Sequence, residues 1–203
     1  MSKLNRDIIY LILQELQDDK ITLHSCLSVN KIWCETIIPI LWKDPWKDLK
    51  GKEKLLVSVI ISHLPNKSRD NLSKHMDFSL NSYPRPLFDY ISFCRHLNLN
   101  EIERMIIHSF HEKSKISIIT YEIFDLFING NTRFTHLYMP HRFDYQIHLI
   151  PGAKRCLSEI EFLSCNTNVN GSAFVGLAGI CKSIRVLEFS VITNNDDRIV
   201  KLI

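Results

Sequence analysis

The chain has 203 residues, of which 45% are hydrophobic and 23% are charged. A chain of this size and composition can bury one large core or two small ones, which excludes an intrinsically disordered protein. Its net charge is only +3 and the two signs are interspersed along the chain. We therefore expect no nucleic-acid-binding surface.

The cysteine pattern and the apolar runs indicate where the protein resides. Six cysteines are scattered singly, and no secretory signal precedes the first apolar run. We expect free thiols in a reducing compartment, which is the cytoplasm, the nucleus or both. The longest apolar runs, 55–61 and 8–13, are shorter than the roughly 20 residues that a bilayer span requires. No membrane segment is expected.

The first forty residues carry a helical apolar pattern. Apolar side chains recur at helical spacing from residue 4 onward and form one broad stripe, which predicts an amphipathic helix: Leu4, Ile8, Ile9, Ile12, Leu13 and Leu16. Asp18, Asp19 and Thr22 offer oxygens that can cap a second helix. A polar break at 28–30 then separates that helix from a third apolar run that ends at Pro39.

Two motifs in this stretch match a known family. The first is Leu-x-x-Asp-Ile-Ile-x-x-Ile-Leu-x-x-Leu from residue 4, and the second is Val-Asn-Lys-Ile-Trp over 29–33. Together they resemble the F-box. The family usually opens with Leu-Pro, where this chain has Asn5 after Leu4, and it usually has Val-Cys-Arg-x-Trp, where this chain has Asn30 in place of the cysteine.

The resemblance implies a three-helix F-box domain that docks on the Skp adaptor. The candidate adaptor-binding residues are the apolar ones of the two motifs and the segment between them: Leu4, Ile8, Ile9, Ile12, Leu13, Leu16, Leu23, Leu27, Val29 and Trp33. Some of these side chains must instead form the internal core of the three helices. The sequence does not separate the two groups.

The next region, 47–93, is predicted to be a helical linker or capping region. A charged segment with Pro45 and Gly51 marks a hinge near 45–52, after an F-box domain at 1–46. Residues 53–64 are apolar nearly all round and stop at Pro65, which predicts a buried helix. Residues 68–76 predict a short polar helix.

From residue 94 onward, apolar triplets recur that predict short strands. Their middle residues are Leu97, Leu137, Ile160 and Leu187, so the intervals are 40, 23 and 27 residues. The last two intervals fall within the range of about 20 to 29 residues for leucine-rich repeats. Helical candidates at 101–110, 118–127 and 174–181 alternate with the strands. The last unit closely resembles the cysteine-containing type of leucine-rich repeat.

These patterns predict an α+β chain, with the three-helix F-box followed by an irregular, incomplete leucine-rich-repeat solenoid at 94–203. Each repeat needs neighbours to bury its apolar face, so a stack is required. Residues 196–203 are predicted to begin another helix, after which the solenoid is truncated.

No recognisable catalytic pattern accompanies these motifs. The best metal-ligand pair, His108 and His111 followed by Glu112, lacks further ligands at zinc spacing. Cys26 and Cys34, near His24, are interpreted as two partly buried thiols rather than a nucleophile site. We expect no cofactor, no metal and no enzymatic activity of the chain itself.

An F-box followed by leucine-rich repeats resembles the substrate-recognition subunit of an SCF-type cullin-RING ubiquitin ligase. That resemblance implies two partners, the Skp adaptor with its cullin, and a target protein held by the repeats. The alternative is a scaffold outside any ligase, with a degenerate F-box-like cap; Asn5 and Asn30 favour it. No motif identifies the target.

Overall fold

The computed structural model describes residues 5–47, 49–75, 83–110, 112–129, 131–140, 143–166, 171–193 and 196–202. The first half is helical: α1 (Arg6–Glu15), α2 (Lys20–Cys26), α3 (Lys31–Leu41), α4 (Glu53–Ser62), α5 (Asn66–His75) and α6 (Tyr90–Phe93). The second half alternates strands and helices: β1 (His96–Asn98), α7 (Leu99–Ser109), α8 (Lys113–Phe127), β2 (His136–Tyr138), a 3-10 turn (Ile147–Leu149), α9 (Ala153–Leu157), β3 (Phe162–Asn166), α10 (Gly171–Ile180), β4 (Val186–Thr193) and β5 (Asp196–Leu202).

The second and third N-terminal helices begin where side-chain oxygens accept hydrogen bonds from their first amide groups. Asp19 Oδ1 accepts from the Thr22 amide at 3.0 Å, so the predicted cap of α2 is confirmed. Asn30 Oδ1 accepts from the Trp33 amide at 3.1 Å and starts α3. The predicted break at 28–30 is confirmed. However, α3 runs through Pro39 to Leu41 rather than ending before the proline.

These helices bury a small core of their own. Ile9 and Leu13, four residues apart on α1, pack with Leu23 of α2 and Ile37 of α3. Arg6 Nη2 lies 3.5 Å from Glu35 Oε2 and links the start of α1 to α3. The module is therefore held together by its own apolar contacts.

A second, larger core fills the remainder of the chain. The helix predicted at 53–64 is confirmed as α4, which buries Leu56, Val57, Ile60 and Ile61, and the polar helix predicted at 68–76 is confirmed as α5. Trp46 joins this core, and its indole Nε1 donates to the His96 carbonyl at 2.5 Å. The connection after α3 is thereby anchored to the first strand.

The five strands form one sheet in the order β1-β2-β3-β4-β5, in which β1 to β4 are parallel and β5 is antiparallel to β4. Leu97, Leu137, Leu163 and Leu187 are aligned across the parallel strands. The first three are buried and Leu187 packs against the same core. This side of the sheet therefore faces the helices.

The prediction of a leucine-rich-repeat solenoid at 94–203 is wrong. The described residues form a mixed α/β structure with ten α-helices and a small sheet of four parallel strands, to which β5 is added. The connections differ in content: two helices join β1 to β2, a 3-10 turn and α9 join β2 to β3, and α10 joins β3 to β4. Units so unlike each other do not stack as equivalent repeats.

Two finer predictions for this region are also wrong. Leu163, not Ile160, aligns with Leu137, so the intervals between the aligned leucines are 40, 26 and 24 residues. Residues 196–202 form strand β5 rather than a helix, because they pair with β4 from Asp196 to Leu202. The antiparallel return of β5 also departs from the all-parallel sheet that a repeat stack would build.

The helices at 101–110, 118–127 and 174–181 are confirmed as α7, α8 and α10, with shifted ends. All six cysteines are free thiols. Within the described ranges, no helix combines the length and the apolar character that a bilayer crossing needs.

Candidate functional surfaces

Helix α1 carries two apolar stripes that face in different directions. Ile9 and Leu13 point into the small core and are buried. Ile8, Leu11 and Ile12, at i, i+3 and i+4, remain 47%, 61% and 47% exposed. We call these three residues the outer stripe. A helix that is apolar on its outward side as well as its inward side has a surface that another molecule can cover.

The structure separates the predicted adaptor-binding residues into three groups. Ile9, Leu13 and Leu23 are buried and belong to the internal core. Leu16, Leu27 and Trp33 are half-buried against it, and Ile8, Ile12 and Val29 are exposed. Leu4 lies outside the described residues. Three of the predicted residues therefore remain as clear candidates for contact with a partner.

Further exposed apolar residues of the module were not predicted as site residues: Tyr10, Leu11, Ile21 and Ile32. Leu11 lies three residues after Ile8. Helical spacing alone would have placed it on the outer stripe if α1 had been interpreted as a helix with two apolar sides. Ile32 lies two residues after the capping residue Asn30, in a segment where apolar residues do not recur at a regular spacing.

A cleft of about 880 Å³ opens between this module and the next part of the chain. Its walls come from α2, α3 and α4, from the connecting segments at 18–19 and 42–52, and from residues 87–90. Trp42 stacks on Tyr90 at 4.6 Å between ring centroids. Ile21, Leu55 and Leu87 line it and are 82%, 70% and 87% exposed. None of the outer stripe residues lines this cleft.

The side of the sheet away from the helices presents aromatic and polar side chains. His96, His136 and Phe162 are aligned across β1, β2 and β3, next to the aligned Tyr138 and Ser164. All five are half-buried, in contrast to the buried leucines between them. We call this surface the open face.

The rings of the open face stack along the strand ladder. The His96 and His136 rings are parallel within 7° with centroids 3.9 Å apart, and Phe162 continues the stack at 5.4 Å from His136. Tyr138 lies 5.2 Å from Phe162. A flat, partly exposed aromatic surface of this kind contributes contact area at little entropic cost.

One carboxylate borders the open face. Asp44 Oδ2 lies 3.3 Å from His96 Nδ1, a close polar contact without the alignment of a regular hydrogen bond. Burial works to raise the pKa of Asp44, but His96, the Trp46 backbone amide and Lys20 together outweigh it and hold that pKa below its ordinary value. Burial, together with the neighbouring His96, lowers the pKa of His136.

The predicted alternatives for metal binding and nucleophilic chemistry find no geometric support in the described residues. His111 lies outside them, and His108 Nδ1 contacts the Arg104 carbonyl oxygen at 2.7 Å within its own helix. No group of three or more potential ligands is found there. Cys26 and Cys34 are half-buried, as predicted. At Cys165 and Cys181, burial raises the pKa of the thiol to about 11, which disfavours the reactive thiolate.

Comparisons of the chain with known protein families, with curated proteins and with solved structures find no match. The motifs at 4–33 and the surfaces described above are therefore the features of the chain that bear on its function.

Proposed function

We propose that this chain is a substrate receptor of an SCF-type cullin-RING ubiquitin ligase, located in the cytoplasm, the nucleus or both. The Skp adaptor docks on the N-terminal helical module, chiefly on the outer stripe of α1. A target protein binds the α/β part of the chain at the open face. The chain itself performs no chemistry.

The outer stripe is the observation that carries this proposal. The first motif contains more apolar residues than the small core buries. Ile9 and Leu13 are buried in that core, whereas Ile8 and Ile12 are exposed. Exposed large apolar side chains on one helix face are typical of a protein–protein interface. The F-box resemblance supplies the nature of the partner.

The departures from the family motif leave the outer stripe intact. Asn30 replaces the usual cysteine but caps α3, the helix to which Trp33 belongs. Asn5 replaces the usual proline directly before α1. Neither residue removes an apolar side chain from the surface of α1.

In this proposal the open face holds the target. Stacked, half-buried rings and polar groups on three neighbouring strands supply both apolar contact and hydrogen-bonding atoms. Binding the target and the adaptor on one chain raises the effective concentration of the target's lysines near the ubiquitin-conjugating enzyme. A bimolecular transfer then becomes nearly intramolecular.

Co-purification with the Skp adaptor tests the proposal. The full chain, co-expressed with the adaptor, is expected to elute with it as a complex that also recruits the cullin. The Ile12→Asp variant is expected to lose the adaptor while remaining folded. Binding would bury the new carboxylate in an apolar contact, where it loses its hydration and has no partner.

If the folded wild-type chain does not bind the adaptor, the ligase proposal fails, and the scaffold with an F-box-like cap takes its place. Two contacts are consistent with that second function: the Trp42–Tyr90 stack and the Lys47–Asp18 ion pair at 3.3 Å attach the module to the following segment. Binding of the adaptor by the wild-type chain would contradict it.

A further inference from the structure

The cleft between the N-terminal module and α4 collects three of the four most exposed large apolar side chains of the chain's described part. Leu87 and Ile21 are the two most exposed large apolar residues found there, and Leu55 is close behind. They come from a loop, from α2 and from α4, yet all three line the same cleft. Residues from three separate segments thus present apolar surface to one common space.

The charges that line this cleft are positive in sum, because Lys20, Lys47 and Lys52 outnumber Asp18 and Asp19. Asp18 pairs with Lys47, and Asp19 keeps its charge while it caps α2 through Thr22. The segment that forms one wall contains Lys50, Lys52 and Lys54, all exposed, of which Lys52 lines the cleft. Their flanking acid Glu53 turns instead to Arg104, at 3.7 Å. The mouth of the cleft therefore favours an anionic partner.

The walls also determine which backbone conformation a bound segment can adopt. None of the lining residues belongs to a strand. They come from α2, α3 and α4, whose backbone groups are already hydrogen-bonded within each helix, and from the connecting segments next to these helices. An extended peptide would find no sheet edge in the cleft and would bury unpaired amide groups there. A helix satisfies its own backbone and needs only apolar contact from its surroundings.

We propose that this cleft binds an acidic amphipathic helix of a partner protein. The apolar side of that helix enters the cleft with anchors at i, i+3 or i+4, and i+7, which contact Ile21, Leu55 and Leu87. Its Asp and Glu residues lie along the flanks, opposite Lys50, Lys52 and Lys54. A volume of about 880 Å³ accommodates several apolar side chains of this kind.

This site is separate from adaptor docking on α1. Ile8, Leu11 and Ile12 do not line the cleft, and Leu55 and Leu87 lie outside the N-terminal module. The inference therefore stands whether or not the chain binds the Skp adaptor. The Ile12→Asp variant is expected to bind an acidic helix with the same affinity as the wild-type chain.

Fluorescence anisotropy with two synthetic helices tests the inference on the full chain. The probe is a labelled peptide of about 16 residues, long enough to form helix, with leucines at i, i+3, i+4 and i+7 and glutamates on both flanks. The second peptide carries lysine in place of every glutamate. We expect the acidic peptide to bind at least about tenfold more tightly, with an affinity that falls as salt rises.

Variants of the chain then assign the contacts. Lys50→Glu combined with Lys52→Glu is expected to reverse the preference in favour of the basic peptide. Leu55→Asp is expected to weaken acidic-peptide binding about tenfold or more. Leu149→Asp is the matched control, since Leu149 is about as exposed as Leu55 but does not line the cleft. Leu87→Asp, in a loop, replaces Leu55→Asp if that variant does not fold.

Equal binding of the two peptides would overturn the inference, as would the absence of binding by both. An unchanged affinity in the folded Leu55→Asp or Leu87→Asp variant would also overturn it.

Discussion

Asn30 has a structural role at the start of α3. Its side chain accepts a hydrogen bond from the Trp33 amide, at the position where the F-box pattern that this sequence resembles usually has a cysteine. Sequence alone indicated only a polar break at this position. Which of the polar residues at 28–30 caps the helix depends on backbone angles that a single sequence does not encode.

Replacement of Asn30 by alanine is expected to lower the free energy of unfolding by about 0.5 to 2 kcal/mol, the usual value of a helix N-cap. Denaturant unfolding measures the change. Asn5→Ala is the matched control, because Asn5 precedes α1 but makes no side-chain cap hydrogen bond. Equal destabilisation by the two variants would contradict the capping role of Asn30.

His136 makes stability depend on pH. Burial and the nearby His96 and Lys43 lower its pKa, while Asp44 and Glu161 act in the opposite direction. The unfolded chain therefore takes up a proton at a higher pH than the folded chain. The free energy of unfolding should decrease as the pH falls below about 6.5, until the pH has passed the folded-state pKa of His136.

The His136→Phe variant keeps a ring in the stack but removes the titrating group. Unfolding measured between neutral and mildly acidic pH should show a smaller loss of stability for this variant than for the wild-type chain. An identical pH dependence of the two proteins would show that other groups cause the effect.

At the scale of elements, the sequence predicted α1 correctly but not the division of its apolar residues. Ile8 and Ile9 are adjacent and both apolar, and helical periodicity places them about 100° apart on the helix. Only the packing of α2 and α3 determines that Ile9 faces the core and Ile8 faces outward. The candidate site could thus be located on α1, but its individual residues could not be selected.

The register of β3 was missed for a comparable reason. Ile160 and Leu163 are both apolar and both buried, so each one fits the middle of an apolar triplet. The pairing of Leu163 with Leu137 and Leu187 is a non-local property of the sheet. A shift of three residues also reverses which side chains of the strand face the core.

Two glycines of α10 should respond oppositely to alanine. A Cβ at Gly176 would lie 2.3 Å from the His148 ring, whereas Gly179 has no atom within 4 Å of that position. Gly176→Ala should destabilise the protein by about 1 to 3 kcal/mol through overpacking. Gly179→Ala should stabilise it by up to about 1 kcal/mol through helix propensity. Thermal unfolding of both variants checks the prediction, and stabilisation by Gly176→Ala would contradict it.

At the scale of the whole molecule, the positions of most helices and of three strands were predictable, but their assembly was not. Short apolar triplets with helices between them are common to repeat stacks and to other mixed α/β structures. The unequal connections and the antiparallel β5 distinguish the two, and both depend on contacts between residues far apart in sequence. The solenoid prediction failed at this level.

The two hydrophobic cores support the two surfaces to which we assign binding roles in the proposed function. The small core supports the outer stripe on α1, and the large core supports the open face of the sheet. Trp46, which belongs to the large core, bonds to the His96 carbonyl a few residues after α3 ends. Adaptor and target are thus proposed to bind two separately packed parts that a short connection joins.

The affinity of the Ile12→Asp variant for the purified Skp adaptor, measured by titration calorimetry, tests the central claim most directly. Val175→Asp is the matched control, because Val175 is an exposed apolar residue on α10. We predict that Ile12→Asp weakens binding at least about tenfold to a hundredfold, which corresponds to about 1.4 to 2.8 kcal/mol, and that Val175→Asp binds as the wild-type chain does. Wild-type affinity in a folded Ile12→Asp variant would contradict the account.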